Sequence, residues 1–301
     1  MTSATLMAAI LASCSQGGAN FDAAAYHQEV MGWREHRREL LMEPTGYLNQ
    51  IGLYWLESGT YSFGTAATND VVFDGNGAPN IGVFTVSTDG VSMTVQPGVD
   101  VRSDDQPVEE IVIAADTAEL PVMITHATLA WTIVEREGRY AVRLRDFELP
   151  FVASFGPLPY FEVDPAFRVQ ATLRRYAEPI IANGQTVIEG LEYHPVSPGI
   201  VEFEIDGQLF ELEAYTVGER LFYVFGDKTN RDATYGAGRF LYSETPGEDG
   251  LTILDFNKSY SPPCAFNDFS TCPVASPRNR LPIRIEAGEL FDPDLAYSAA
   301  H

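Results

Sequence analysis

The chain has 301 residues, which is enough to bury one large hydrophobic core or two smaller ones. Its formal net charge is -23, from 42 acidic and 19 basic residues. This balance argues against nucleic acid as a partner and against charge-driven binding to anionic lipid, because both need clustered lysine and arginine. A hydrophobic share of 45% and an aromatic share of 12% are typical of a folded globular protein.

The first 20 residues predict an export signal followed by a tether. A short apolar run, residues 6–12, leads into Leu11-Ala12-Ser13-Cys14, which looks like the lipobox where a signal peptide is cut and its cysteine is lipidated. The basic residues that usually precede such a run are missing, so an ordinary thiol at Cys14 stays open as the alternative. We expect a lipid anchor at Cys14 that holds the protein on the periplasmic face of the cell envelope.

Residues 21–46 predict the one convincing helix, from Phe21 to Met42. Asp22 can serve as its N-cap, and the turn at Glu43-Pro44-Thr45-Gly46 ends it. Its largely apolar stripe falls near helical spacing and consists of Tyr26, Val30, Trp33, Arg37, Leu40 and Leu41.

From Tyr47 onward the sequence reads as short strands separated by turn signals about ten residues apart, which favours a sandwich or barrel. Residues 81–86 and 91–95, for example, flank a turn and predict a hairpin. A proline- and aromatic-rich connector, residues 150–165, predicts a seam between a first β lobe at 47–149 and a second at 150–301. In the second lobe, residues 186–193 and the short segment 283–285 also read as strands.

The segment Leu254–Leu290 contains five prolines and cannot be a regular helix or an inner strand. We therefore predict a mostly β protein of two packed β-sandwich or barrel-like lobes, with one N-terminal helix and this proline-rich C-terminal loop as a cap.

Cys264 and Cys272 lie in that loop with seven residues between them. In an exported protein this spacing predicts a local disulfide. Two alternatives stay open, namely buried structural thiols and a nucleophilic Cys264 activated by His126 or His194. The chain has no paired Cys or His motif with metal-ligand spacing, so we predict no metal and no cofactor.

Polar side chains around the same loop are the candidate ligand-binding residues. They are Asp227, Thr229, Tyr235, Arg239, Asp255, Asn257 and Tyr260. Carboxylate, amide, phenol and guanidinium groups together can orient a small polar ligand, and two carboxylates can do acid/base chemistry. The alternative is that these groups satisfy the backbone of an irregular loop.

Two sets of motifs carry a resemblance to a known family. The N-terminal set comprises Trp33-Arg34, Gly46-Tyr47-Leu48 and Gly52-Leu53-Tyr54-Trp55-Leu56, and the C-terminal set comprises Asp227-Lys228-Thr229, Thr234 to Leu241, Leu254-Asp255-Phe256-Asn257, Pro262 to Phe266, Thr271-Cys272-Pro273 and Gly288-Glu289. With these motifs the chain resembles the bacterial domain-of-unknown-function family 1684, over about residues 33–289. The resemblance implies membership but no activity.

A weaker likeness links Phe63-Gly64-Thr65 and Asn69-Asp70-Val71-Val72 to the start of a forkhead-associated sandwich. The arginine expected after the glycine is Thr65 here, so phosphopeptide binding is not implied.

These observations leave two classes of function. The first is a cell-envelope lipoprotein that binds a small polar ligand or has a structural role, with the membrane as a partner through Cys14 and no nucleic acid. The alternative is a hydrolase that uses the carboxylates Asp227 and Asp255 near the C-terminal loop.

Overall fold

A computed structural model describes residues 21–297 of the chain. The sequence prediction of a mostly β protein with one main helix near the N-terminus is confirmed. Within residues 21–297, no helix has the length and apolar character needed to cross a membrane. The predictions for Cys14 and the signal segment lie outside the described residues.

Helix α1 spans Ala23–Met42, as the apolar stripe predicted. The Asp22 carboxylate accepts hydrogen bonds from the backbone N–H groups of Ala24 and Ala25, both at 3.0 Å, which confirms its role as the N-cap. The side chains that α1 buries are Tyr26, Val30, Arg37 and Leu41. A buried arginine within an apolar stripe needs an anionic partner, which the C-terminal loop supplies.

The first lobe is built from two antiparallel-rich sheets that face each other. Its strands are β1 Gln50–Leu56, β2 Gly59–Gly64, β3 Val71–Val72, β4 Gly82–Ser87, β5 Gly90–Val95, β6 Arg102–Ser103, β7 Gln106–Pro107, β8 Glu110–Ile113, β9 Met123–His126, β10 Leu129–Arg136 and β11 Arg139–Asp146. One sheet has the order β1-β11-β10-β9-β6-β7 and the other β3-β2-β4-β5-β8. The hairpin predicted from residues 81–95 is β4-β5.

Aromatic rings fill the space between the two sheets. Phe63 stacks on Phe84 with ring centroids 3.9 Å apart, and Trp131 meets Phe63 edge-on at 5.6 Å. All three side chains are fully buried. This dry core belongs to the first lobe alone and leaves the outer face of β1 and β11 free to contact the C-terminal loop.

The connector between the lobes contains one short helix, α2 Pro150–Ala153. The second lobe then consists of β12 Arg168–Ile181, β13 Gly184–Gln185, β14 Glu192–Tyr193, β15 Val196–Ile205, β16 Gln208–Val217, β17 Arg220–Phe225, β18 Arg239–Glu244 and β19 Leu251–Asp255. Its main sheet has the order β18-β17-β16-β15-β12-β19 and curls into a near-barrel, because the edge strands β18 and β19 approach each other. β13 and β14 form a separate small pair.

Strands β17 and β18 are apolar on both faces. Tyr223, Phe225 and Leu241 point into the barrel core, whereas Phe222 and Phe240 point outward into a second cluster. A sheet face of this kind has to be covered. Helix α1 and the C-terminal loop lie over it, with Trp33 and Tyr260 in contact at a centroid distance of 6.2 Å.

Two strand predictions in the second lobe are wrong. Residues 186–191 form the turn between β13 and β14, because the Thr186 hydroxyl and N–H bond to the Leu191 carbonyl and close the segment on itself, so only Glu192–Tyr193 of the predicted strand is extended. Residues 283–285 are not a strand, because the Ile285 carbonyl and N–H bond to the side chains of Arg239 and Asp227. The rest of the loop contains short 3-10 turns at Phe256–Lys258, Pro263–Ala265 and Pro277–Asn279.

Candidate functional site

Asp227 and Arg239 form a buried ion pair at the inner end of β18. Their side chains are 2.7 Å apart and both are 0% exposed. Arg239 also donates to the carbonyls of Ile285 and Ala287, and Asp227 accepts from the N–H groups of Thr229 and Ile285. Burial lowers the pKa of the Arg239 guanidinium, and Asp227 opposes that shift. The pair fastens the C-terminal loop to the barrel, and both side chains are fully enclosed by described residues.

Thr229 belongs to the same buried network. Its backbone N–H donates to Asp227 at 2.7 Å, and its hydroxyl bonds to the Thr234 hydroxyl at 2.8 Å. These bonds satisfy the turn that follows β17. Among the predicted ligand residues, Asp227, Thr229 and Arg239 are therefore brought together, but around loop backbone rather than around open space.

Tyr235 lies beside the two cysteines. Cys264 and Cys272 are free thiols in the structure, so the predicted disulfide is not formed in it. The Cys264 N–H nevertheless donates to Cys272 Sγ at 3.1 Å, and the bridge stays a prediction. Hydrogen bonds from Cys272 and Tyr235 lower the pKa of the Cys264 thiol, whereas burial raises that of Cys272.

Neither histidine proposed as a base for Cys264 has a hydrogen bond to it among the described residues. His126 Nε2 accepts from the Ala78 N–H at 2.9 Å, and its Nδ1 lies 2.8 Å from the Asp100 carbonyl. His194 bonds to Asn183 and Glu137 instead. The base that thiol nucleophilic catalysis requires is therefore not supplied by His126 or His194.

Asp255 and Asn257 anchor helix α1. The Tyr26 hydroxyl donates to Asp255 Oδ1 at 2.7 Å and accepts from Asn257 Nδ2 at 2.9 Å. The Asn257 amide also exchanges hydrogen bonds with the backbone of Asp164. One fully buried amide thus joins the helix, the connector between the lobes and the C-terminal loop.

A groove runs between α1 and the outer face of β17 and β18, and we call its two parts the aromatic and the polar compartment. The aromatic compartment, of about 600 Å³, is lined by Trp33, His36, Arg37, Leu40, Glu43, Thr45, Gly46, Tyr47, Arg220, Phe222, Phe240, Tyr242, Tyr260 and Pro263. The polar compartment, of about 340 Å³, is lined by Glu29, Trp33, Arg168, Arg220, Tyr242, Ser243, Glu244, Ile253, Asp255, Lys258 and Tyr260. The two share Trp33, Arg220, Tyr242 and Tyr260, so they lie next to each other.

Guanidinium groups hold the aromatic walls in place. Arg37 lies 4.5 Å from the ring centroid of Tyr260, and Arg220 lies 4.3 Å from that of Tyr242. The Tyr260 ring also meets Phe240 edge-on at 5.8 Å. A wall built from rings packed against other rings and cations is rigid before any ligand arrives.

The polar compartment contains an acceptor without a hydrogen-bond partner. Asp255 is 7% exposed, and its Oδ2 atom has no hydrogen-bond donor among the described residues. Its cationic neighbour is the Lys258 ammonium, which lies 3.6 Å away and is also paired with Glu29. A buried carboxylate oxygen without a donor is costly, and a hydrogen bond from a ligand that reaches it would remove that cost.

Glu289 lies beneath the groove as a third buried carboxylate. It accepts from the Ser261 N–H at 3.1 Å and from Arg37 Nε at 3.4 Å. Burial raises the pKa of Glu289, although the nearby Arg37 guanidinium opposes the shift. The bond from Arg37 links the centre of α1 to the end of the C-terminal loop.

One group of side chains within residues 21–297 has the geometry to hold a metal ion. It consists of Glu137, Glu192 and His194, whose ligand atoms lie within 4.8 Å of one another. All three are exposed, and the histidine already pairs with both carboxylates. The group lies away from the groove residues.

The seven predicted ligand residues therefore do not form one site. Asp255 and Tyr260 line the groove, Asn257 supports it from below, and Tyr235 contacts Cys264. Sequence reasoning missed the groove residues on the other three elements, α1, β17 and β18, which are Trp33, Arg220, Phe222, Phe240 and Tyr242. The available signal was the apolar character of both faces of β17 and β18, which requires a covering element.

Comparisons with known proteins give a family but no activity. Residues 153–290 match the model of a family described as a protein of unknown function, DUF1684. A solution NMR structure of an uncharacterised protein from Haloarcula marismortui is 31% identical; the match covers 46% of this chain and 78% of that one, with a TM-score of 0.39. No curated protein matches the chain.

Proposed function

We propose that this chain, which belongs to the DUF1684 family of proteins of unknown function, binds a small polar ligand in the groove and catalyses no reaction on it. The observation that carries this proposal is the groove itself, which joins an aromatic compartment of about 600 Å³ to a polar compartment of about 340 Å³. Concave sites of this size with aromatic walls and a few polar groups are typical of small-molecule binding.

The placement of the carboxylates favours binding over hydrolysis. The alternative of a hydrolase needs Asp227 and Asp255 to act together on one substrate. Asp227 is instead neutralised by Arg239 and closed in by loop backbone, with 0% of its side chain exposed. Of these two carboxylates only Asp255 lines the groove, so Asp227 and Asp255 do not form an acid/base pair around one ligand there.

Co-purification tests the binding function directly. The protein is purified under non-denaturing conditions from its own host, and native mass spectrometry measures any bound species. A double variant, Trp33→Ala with Tyr242→Ala, removes two walls shared by both compartments. The matched control, Leu120→Ala, shortens a side chain that is 81% exposed and outside the groove.

We expect the wild type and the Leu120→Ala control to carry a small molecule that the groove variant has lost. Circular dichroism establishes that all three proteins are folded. Wild-type protein without a bound molecule would contradict the proposal, and so would a groove variant that carries the molecule in the same amount as the wild type. Either result would leave a structural role as the better account.

We further propose that the protein works at the cell envelope, anchored by lipid at Cys14. The sequence around Cys14 supports the anchor. The net charge of -23 gives no electrostatic attraction to anionic membranes, so attachment to the membrane would depend on the lipid. Metabolic labelling with a lipid precursor separates the outcomes. Wild type should incorporate the label and Cys14→Ser should not, whereas equal labelling of the two would remove the anchor from the proposal.

A further inference from the structure

We infer that the ligand of the groove is a neutral, polyhydroxylated molecule of the carbohydrate class, with Asp255 accepting one of its hydroxyl groups. This inference rests on the proposed binding function and specifies its chemistry. It combines three observations, which are the balance of charge around the polar compartment, the unpartnered carboxylate oxygen within it, and the ring faces that continue into the aromatic compartment.

The polar compartment has no net charge to attract an ion. Its lining contains three carboxylates and three cationic side chains, namely Glu29, Glu244 and Asp255 with Arg168, Arg220 and Lys258. A phosphate or polyamine ligand would meet as many repelling charges as attracting ones. The balance therefore selects against ligands with a net charge.

The charges are also interleaved, which disfavours a zwitterion. The Lys258 ammonium pairs with both Glu29 and Asp255, and the Arg220 guanidinium lies 4.3 Å from the centroid of the Tyr242 ring. A zwitterionic ligand such as an amino acid needs one cationic pole and one anionic pole held apart. Lys258, Glu29 and Asp255 already neutralise one another and present lone pairs and N–H groups, which are suited to hydroxyl groups.

Asp255 supplies the specific acceptor. Its Oδ1 atom is used by the Tyr26 hydroxyl and the Asn257 N–H, so this side of the carboxylate is fixed. Its Oδ2 atom is buried without a donor and belongs to a residue that lines the cavity. Hydrogen bonds from a neutral donor to a charged, preoriented acceptor are among the stronger polar contacts in a binding site.

The ring walls complement the other part of a sugar. Trp33, Tyr242 and Tyr260 lie at the boundary between the compartments, where a ligand that contacts Asp255 would continue. A pyranose ring has apolar C–H faces and a polar rim, so it can pack against aromatic faces while its hydroxyl groups reach the polar compartment. A purely apolar ligand would leave the Asp255 oxygen unsatisfied.

Isothermal titration calorimetry against defined probes tests the inference. The probes are neutral malto-, cello-, xylo- and chito-oligosaccharides, single amino acids, inorganic phosphate and a medium-chain alcohol. We expect saturable binding of at least one neutral oligosaccharide and none of the charged or zwitterionic probes. Trp33 fluorescence provides a second readout, and its response should vanish in Trp33→Phe.

A matched pair of substitutions then assigns the contact. Asp255 and Asp249 each accept a hydrogen bond from the backbone N–H two residues later, and either substitution by asparagine turns the carboxylate into an amide. Of the two residues, only Asp255 lines the groove. We expect Asp255→Asn to weaken saccharide binding by about 10- to 100-fold, because it replaces the acceptor by a donor. Asp249→Asn should bind as tightly as the wild type.

The outcomes distinguish the ligand class from the binding function. Binding of amino acids, phosphate or the alcohol in the groove, without any saccharide, would overturn the carbohydrate inference and leave the binding function standing. Saccharide binding that Asp255→Asn leaves unchanged would overturn the role of Asp255. If no probe binds and no molecule co-purifies, both the inference and the proposed function fail.

Discussion

Three carboxylates of the second lobe, Asp227, Asp255 and Glu289, are all at least nine-tenths buried, yet their surroundings give them different roles. Asp227 faces a guanidinium that neutralises it. Glu289 keeps a weaker contact with Arg37 and is penalised by burial. Only Asp255 retains an oxygen without a hydrogen-bond donor in the described part of the chain. The surroundings of each carboxylate therefore decide whether it anchors the loop or is a candidate for ligand binding, and the residue type does not.

Removing one partner of the Asp227–Arg239 pair should cost a large part of the stability. Asp227→Ala leaves the Arg239 charge buried without a counterion, and we expect the free energy of unfolding to fall by about 3–5 kcal/mol. The matched control is Asp232→Ala, which breaks an exposed ion pair with Arg284 at a similar distance of 2.8 Å. That change should cost less than about 1 kcal/mol. Urea denaturation measures both, and equal losses would contradict the structural role of the buried pair.

The sequence identified these residues but not the direction in which they point. Alternation in β18 puts Arg239 on the same face as Leu241, but Phe240 and Tyr242 make the opposite face equally apolar. The alternation of apolar residues therefore does not show which face of the strand points into the barrel core. Asp255 and Tyr260 reach the groove for a reason that the sequence does not contain, since the opposite wall comes from α1, more than 200 residues earlier.

At the scale of the elements, α1 was predicted with its N-cap and buried stripe, because both depend on local sequence. The placement of the helix depends on long-range polar contacts. Among them are Tyr26 with Asp255, Arg34 with the Phe161 carbonyl and Arg37 with Glu289. Polar contacts of this kind fix the register of the helix on the sheet, which apolar packing alone leaves adjustable.

The burial of Glu289 beneath α1 gives stability a dependence on pH. Burial raises the pKa of Glu289 above its ordinary value of 4.5, so the folded state holds the proton more tightly than the unfolded chain does. The stability that this group contributes is therefore full below pH 4.5 and is lost as the pH rises through the folded-state pKa. Glu289→Gln cannot titrate and should lack this loss.

Urea unfolding of wild type and Glu289→Gln between pH 4 and pH 8 measures the effect. The difference in free energy of unfolding, variant minus wild type, should rise with pH, by about 1.4 kcal/mol for each unit by which the pKa is raised. A difference that falls with pH would mean that Arg37 outweighs burial and holds the pKa of Glu289 below its ordinary value.

The cysteine loop was predicted as a closed element, and its two thiols are in contact although unbridged. Oxidation of Cys264 and Cys272 should close the loop and stabilise the protein by about 2–3 kcal/mol in the chain-entropy model. If the bridge forms, a thiol count on unfolded, unreduced protein purified from its own host should find no free thiol in residues 21–297. Two free thiols there would refute the bridge. Cys264→Ala with Cys272→Ala serves as the background sample.

At the scale of the whole molecule, the C-terminal loop belongs to the second lobe in sequence but also contacts the first. The Asn267 side chain donates to the Tyr47 carbonyl at 2.8 Å, and the Ser270 hydroxyl donates to Gln50 at 3.2 Å. Arg136 of β10 reaches Thr271 at 3.3 Å. Because these contacts bridge two separate hydrophobic cores, we expect the lobes to unfold together rather than one after the other.

Asn267→Ala tests this coupling against Asn230→Ala. Each asparagine side chain makes three hydrogen bonds, but those of Asn230 stay within the second lobe whereas one of those of Asn267 reaches Tyr47. Either change should cost about 1–3 kcal/mol, because buried groups lose their partners. By differential scanning calorimetry, only Asn267→Ala should also broaden or split the single transition expected for the wild type. Two resolved transitions already in the wild type, or a split caused equally by Asn230→Ala, would mean that the loop does not couple the lobes and that each core melts by itself.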